Sequence, residues 1–282
     1  MSLAEKLPIS CLVLTKNEAS GLAGCLGSLG DFGQVVVVDS GSTDGTQEIA
    51  RAHGAEVIDF VWNGLYPKKK QWMLDHPVAR HDWVLFLDGD ERPTPQLIEE
   101  LDGLRGELDR RDFVAYDLVL DYVFDGRTLR YGHRVTKRSL VDRTRVRFPE
   151  IDDLDAPGIG EVEGHYQPEL AGPLRTLSGH LIHDDRDPIR SWFDRHNRYS
   201  DWEAYLGTHP SVASVVNASR SSQGQRFAKV PFKPLAFFVY DYIVRQGFRD
   251  GRAGFNYAVA LSWYYWLTDV KVREARRNSR DR

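Results

Sequence analysis

The feature that most constrains this fold is a rhythm in the first third of the chain. Short runs of mostly apolar residues, each followed by polar or acidic ones, alternate with stretches of helical spacing. ISCLVL (9–14) stops at Thr15-Lys16-Asn17-Glu18, VVVV (35–38) stops at Asp39-Ser40-Gly41-Ser42, a third run covers Val57 to Val61, and WVLFL (83–87) stops at Asp88-Gly89-Asp90-Glu91. A strand that is apolar along its whole length is buried on both faces, as parallel strands are. Between the runs, Leu22, Cys25, Leu26 and Leu29 recur at helical spacing within 19–29. Thr43 to His53 restarts a helix behind a Ser/Thr/Asp cap, and Lys68 to Asp75 forms a third. The order βαβαβαβ predicts right-handed crossovers and a ligand site at the carboxyl ends of the strands, where the polar tips converge.

The chain then changes character. A helix is expected over 95–108, followed by alternating strands over 113–124 and 129–140 that read as an antiparallel elaboration. A Gly/Pro/Asp-rich loop (149–164), a short strand (175–182) and a polar helix (188–206) come next. Residues 1–210 are read as the α/β catalytic domain, the Ser-rich 211–226 as a linker, and 227–282 as an aromatic helical appendage, which suits a chain of 282 residues. The appendage reads as two helices broken at Gly247 to Gly251. Its uncharged run, Ala253 to Thr268, is shorter than the roughly 20 apolar residues that span a bilayer. Aromatic content and a basic end (Lys271, Arg273, Arg276, Arg277, Arg280, Arg282) suit an interfacial helix pair on anionic lipid; the alternative is packing on the catalytic domain or on another subunit, as in a homo-oligomer.

A formal net charge of −4 gives nothing global to recruit nucleic acid. Cys11 and Cys25 lack metal-ligand spacing and read as buried thiols of a reducing compartment. The start MSLAEKLPIS has no secretion pattern, so a cytoplasmic location is expected, either free or on the inner face of the cell membrane.

Asp88 and Asp90, separated by one glycine at a strand's carboxyl end, can share a hard divalent cation such as Mg²⁺ or Mn²⁺, whose other ligands would be water and substrate phosphates. The alternative is a turn with solvated acids. Taken together, VLTKNEASGLAGCLGSL, VVVVDSGSTDGTQEIA and WVLFLDGDERPTPQL resemble the inverting family 2 glycosyltransferases of GT-A fold, particularly small bacterial enzymes of lipopolysaccharide-core or exopolysaccharide synthesis. The resemblance implies a mostly parallel sheet flanked by helices and a nucleotide-sugar donor, UDP-glucose first. It implies that Thr15, Asn17 and Glu18 line the nucleotide site, that Asp39 contacts uracil or ribose, and that Asp88 and Asp90 form the metal-binding D-x-D. Asp44 matches another position of the family, with a helix cap as the alternative. The acceptor implied is lipid-linked or a saccharide.

Inverting transfer needs a base opposite the leaving diphosphate. By the same resemblance, Glu163 is the first choice and Glu161 the second. The two flank Val162, so an extended segment points them to opposite faces. Asp152 and Asp153 are further options. His183 occupies the place of a late histidine that binds metal in GT-A enzymes, with His180 as its competitor. Lys68, Lys69 and Lys70 read as a solvated helix face, with electrostatic help to the diphosphate as the alternative. Trp192, His196, Tyr199 and Trp202 could form either an acceptor platform or a packed helix face. The tail also resembles the GFxDGxxG segment of glycosyltransferases acting on membrane-held acceptors. No dinucleotide fingerprint or P-loop occurs. A nucleotidyltransferase forming sugar nucleotides is disfavoured because the glycine-rich N-terminal loop with a basic residue is absent from this sequence, and an inactive membrane scaffold is disfavoured by the intact carboxylates.

Overall fold

The structure, a computed structural model, describes residues 5–163, 166–219, 227 and 230–278. The expected βαβαβαβ order is present as β1 (Leu7–Thr15), α1 (Leu22–Gly27), β2 (Phe32–Asp39), α2 (Thr46–Ala52), β3 (Glu56–Asp59), α3 (Lys69–Asp75) and β4 (Trp83–Asp88). β1 pairs in parallel with both β2 and β4, and β2 with β3. The register places Thr15 beside Asp39 and Leu14 beside Asp88, so the polar tips share one sheet edge. Period-two alternation divides the apolar runs between two cores: Leu12, Val36, Val84 and Phe86 face one side, while Cys11, Val13, Val37, Leu85 and Leu87 face the other. Both cysteines are free and buried.

The remaining strands are β5 (Glu91–Pro93), β6 (Ala115–Phe124), β7 (Arg127–Thr128), β8 (Val135–Asp142), β9 (Val146–Arg147), β10 (Glu169–Leu170) and β11 (Leu174–His183). The main sheet runs β3-β2-β1-β4-β8-β6-β11-β5, with β7 on β6. β8 is antiparallel to β4 and β6, as expected of the elaboration, whereas β11 runs parallel to β6. β5 follows β4 after only Gly89 and Asp90, yet pairs at the far end of the order, antiparallel to β11 with His183 opposite Glu91. The sheet therefore curls back on itself. This is the mostly parallel sheet flanked by helices that the sequence led us to expect.

The stretch over 95–108 is two helices, α4 (Pro95–Gly103) and α5 (Arg105–Arg110). Thr94 caps α4 by accepting the Leu97 N–H at 3.3 Å, with Pro95 in the first turn. After α6 (Ile189–Thr208), the first part of the stretch read as a linker is instead helix α7 (Pro210–Ser219). Val212 and Val216, four residues apart, bury against the first core. Residues 220–226 of that stretch lie outside the described residues.

The appendage comprises α8 (Lys233–Phe238), a π-helical stretch (Val239–Val244), a 3-10 turn (Gly247–Asp250) and α9 (Gly251–Asn278). It is fastened to the preceding part of the chain at both ends. Near its start, buried Asp241 accepts the His133 N–H, and buried Asp250 accepts those of Arg130 and Tyr131 at 2.9 and 2.8 Å. Along α9, Trp263 packs on Phe193 of α6, Lys271 pairs with Asp201, and Arg276 donates to the Gly207 carbonyl. A Cβ on Gly254 would lie 2.0 Å from the Gly247 carbonyl oxygen, so this crossing requires glycine. Among the described residues no helix is long and apolar enough to cross a membrane.

Candidate active site

Three loops meet at the carboxyl edge of β1, β2 and β4. Buried Asp39 accepts from Thr15 Oγ1 (2.7 Å), the Ser42 N–H (2.8 Å) and hydroxyl (2.5 Å), and Gln47 Nε2 (2.9 Å). Burial pushes its carboxyl up, but the bonds from Gln47, Ser42 and Thr15 together outweigh that and hold it below its usual range. Asn17, at φ 59°, accepts the Thr43 N–H at 2.9 Å. Asp44 accepts the N–H groups of Thr46 and Ala19, both at 3.1 Å, so it caps the α2 turn and ties it to the β1 loop.

The reading of Lys68 to Lys70 as a solvated face is corrected. Lys68 and Lys69 are buried, because the start of α3 is tucked beneath the 151–163 loop. Lys68 forms a buried pair with Asp153 at 2.9 Å. Lys69 Nζ donates to the Thr15 carbonyl (3.1 Å) and Ser40 Oγ (2.6 Å), inside the crevice at the carboxyl ends of β1 and β2. Burial pushes its ammonium down to about 8, against the opposing charges of Glu161, Asp39 and Asp88. The missing signal was a partner: a lysine run looks solvated until another element supplies buried acceptors.

Gly89 is pinned by its neighbours, since a Cβ there would lie 2.8 Å from Glu18 Cβ and 3.3 Å from Thr15 Cγ2. The glycine of D-G-D thus lets Glu18 pack against the turn. Asp88 lies 2.8 Å from Lys137 Nζ, which also reaches buried Glu91 at 2.6 Å. Glu91 accepts the Asp88 N–H at 3.0 Å. Burial raises the Asp88 carboxyl, but Lys137 and then Lys70 more than offset this and hold it well below the carboxylate range. Lys137 was not anticipated from sequence. Its signal was a charged residue within β8, a strand flanked on both sides, where burial demands a counter-charge.

Asp90 differs from Asp88. Its Oδ1 faces His183 Nδ1 at 3.4 Å, and His183 Nδ1 lies 3.9 Å from Glu91 Oε1. All three atoms are buried without a hydrogen-bond partner. Burial pushes Asp90 up to about 6, with His183 opposing and Asp88 and Glu91 adding. Burial, then Asp90 and Asp88, pushes Glu18 up to about 9. Such a cluster of acids holding unmatched lone pairs fits a hard divalent cation. Among the described residues, no three His, Cys, Asp or Glu side chains are already grouped to hold one. The donor set is therefore partial, as suits an ion whose shell is completed by phosphate and water. His180, the competitor, is committed to Asp121 at 2.8 Å.

The two base candidates separate sharply. Glu163 is buried and accepts the Lys70 and Gln71 N–H groups, one on each oxygen at 3.0 Å, so its carboxylate closes the start of α3. Glu161 offers its backbone carbonyl to the Lys69 N–H at 2.9 Å, and its charge acts on Lys69 in the crevice. Asp153 is taken by Lys68 and Tyr66. The aromatic residues of α6 lie in packing: Trp202 is fully buried in the core and Trp192 stacks on His196 at 3.6 Å.

Residues 10–167 match the profile described as Glycosyl transferase family 2. An uncharacterized glycosyltransferase of Rickettsia conorii is 34% identical over 99% of this chain and 94% of its own length. The lipopolysaccharide core biosynthesis glycosyltransferase LpsC of Rhizobium meliloti is 27% identical over 95% of this chain and 92% of its own length. Among solved structures, S. aureus TarS 1-349 is 15% identical and covers 90% of this chain and 89% of that one, with TM-score 0.39. With the profile covering more than half of the sequence and a relative matched almost end to end, the chain belongs to glycosyl transferase family 2.

Proposed function

We infer that this glycosyltransferase moves a sugar, with inversion, from a nucleoside diphosphate donor to a lipid-linked or lipopolysaccharide-type acceptor. UDP-glucose is the first donor to test, from the family resemblance, and the acceptor class follows the name of LpsC. The observation that carries the reading is the pair of unpartnered buried atoms, Asp90 Oδ1 and His183 Nδ1, set 3.4 Å apart beside the Asp39 crevice.

Asp39 and Thr15 would orient the nucleoside, with Asn17 and Glu18 shaping the wall. Lys69 would set its positive charge beside the diphosphate. Asp88, Asp90 and His183 would hold Mg²⁺ or Mn²⁺, which supplies neutralisation of the leaving diphosphate. Glu161 is the stronger candidate for the base, because the acceptor hydroxyl must reach the carboxylate, and Glu163 is buried with each oxygen already accepting from the start of α3 while Glu161 is partly exposed. This exchanges the order suggested by sequence.

Transfer from UDP-glucose to a lipopolysaccharide-core acceptor, with Mn²⁺ present and then chelated, tests the reading directly. Glu161→Gln should lower transfer by about 10² to 10⁴ with donor affinity retained, as for a lost general base. Glu163→Gln should chiefly lower stability. Full transfer by Glu161→Gln would return the base role to Glu163, and metal-independent transfer would remove the ion from the mechanism.

A further inference from the structure

The basic tail proposed from sequence is partly used inside the protein, through Lys271 on Asp201 and Arg276 on the Gly207 carbonyl. Trp263 likewise faces inward onto Phe193. The face of α9 opposite its buried residues Ala253, Tyr257, Ala260 and Tyr264, with the segment before it, has another composition. Leu235, Ile243, Phe248, Phe255, Val259 and Trp266 are each between 44% and 66% exposed. Phe255, Val259 and Trp266 are spaced by four and seven residues, so they share one face of α9. Tyr242 lies 6.3 Å from Phe248 and 5.6 Å from Phe255, which joins the π-helical stretch, the 3-10 turn and α9 into one surface.

The exposed charges of the segment from 231 to 268 have a single sign; outside it, exposed Asp125, which accepts from Asn256, and half-buried Asp269 adjoin α9. Between 231 and 268 the only acidic residues are Asp241 and Asp250, and both are buried with carboxylates turned to the backbone N–H groups of Arg130, Tyr131 and His133. Arg245, Arg249 and Arg252 are exposed in the same segment, and Arg249 stays at the surface by lying 4.1 Å over the Tyr131 ring. The two acids that would have neutralised the face have been drawn inside it. What remains outside is apolar and cationic.

We propose that this face docks the enzyme on an anionic lipid bilayer. Such a surface buries aliphatic and aromatic side chains at the headgroup boundary and meets arginines with phosphate. A second copy of the chain is the poorer match, because a two-fold contact would set these arginines against their own counterparts. The proposal is independent of the donor taken by the crevice: failure of sugar transfer would leave the vesicle result standing, and the converse holds too.

The test is sedimentation of the full chain with phosphatidylcholine vesicles, with and without phosphatidylglycerol, at low and high salt. Binding should require phosphatidylglycerol and weaken with salt. Leu235→Asp with Ile243→Asp should reduce it by about tenfold or more, since both lost burial and added negative charge oppose docking. Arg249→Glu with Arg252→Glu should reduce it similarly and flatten its salt dependence. Both pairs lie on the surface, so circular dichroism and donor hydrolysis should match the parent. The proposal is overturned if the parent ignores anionic vesicles at low salt, or if either folded pair binds as the parent does. It is equally overturned if light scattering finds a dimer that Leu235→Asp with Ile243→Asp dissolves, which would assign the face to a second copy.

Discussion

Asp90 and Asp241 are both aspartates whose carboxyls burial pushes up to about 6, one at the sheet edge and the other in the appendage. Their surroundings divide them. Asp241 turns Oδ1 to the His133 N–H and helps fasten a loop, whereas Asp90 turns Oδ1 toward His183 Nδ1 and neither atom finds a hydrogen bond. A perturbed carboxylate is thus no evidence of a site by itself. What its oxygen faces decides whether it fastens structure or waits for a ligand.

The most forceful way to break this contrast is to neutralise each aspartate in turn. Asp90→Asn should lose at least about a hundredfold in Mn²⁺-dependent UDP affinity, since a hard cation takes charged oxygen far better than amide oxygen. Asp241→Asn should bind UDP and Mn²⁺ as the parent does. Calorimetric titration checks both, and equal affinities in the two folded variants would erase the distinction.

The contrast extends to the lysine that accompanies the sheet-edge acids. Burial acts against the Lys137 charge, but Asp88 and Glu91 outweigh it and hold the ammonium well above its usual value. Lys137→Met should strand buried Glu91 and cost about 3 kcal/mol of stability at pH 7. An unchanged urea midpoint would show that the pair contributes nothing to the fold.

The smallest effect sharpens the appendage side. Because the folded carboxyl of Asp241 sits near 6 rather than 3.8, the folded chain keeps a proton that the unfolded chain releases, and this contribution to stability fades as pH rises through 4 to 6. Asp241→Asn should flatten that part of the stability profile relative to the parent, and gain on the order of 1 kcal/mol at pH 7. Parallel profiles for the two proteins would place the proton elsewhere.

The front half was legible in the sequence because its signals are local. Strands apolar on both faces, ended by polar tips, announce a parallel sheet and its ligand edge. Asp88 and Asp90 stood out at a strand end, and His183 was singled out by the family resemblance together with its place at the end of a short strand. Alternation would set Glu161 and Glu163 on opposite faces of an extended segment, but 161–163 is a turn, and what separates the two is the pair of bonds from Glu163 to the start of α3. β5 was missed because three residues, Glu91-Arg92-Pro93, carry no periodicity and pair with a strand far along the chain. The burial of Lys69 and Lys137 was hidden for the same reason. α7 was hidden by its serines, while the informative residues were Val212 and Val216.

The curl that brings β5 to β11 also sets an order of assembly. Asp88, Asp90 and Glu91 leave the ribosome before Lys137, and Lys137 before His183. The three-residue strand that seats Glu91 and the histidine that faces Asp90 meet only when β11 has been made. Closing so long a loop carries its entropic cost before any contact offsets it. In a nascent chain stopped short of His183, the strands β1, β2 and β4 and the Asp39 edge have all been synthesised while the partner that faces Asp90 has not, so under the proposed function the groups for the nucleoside precede the full set for the ion.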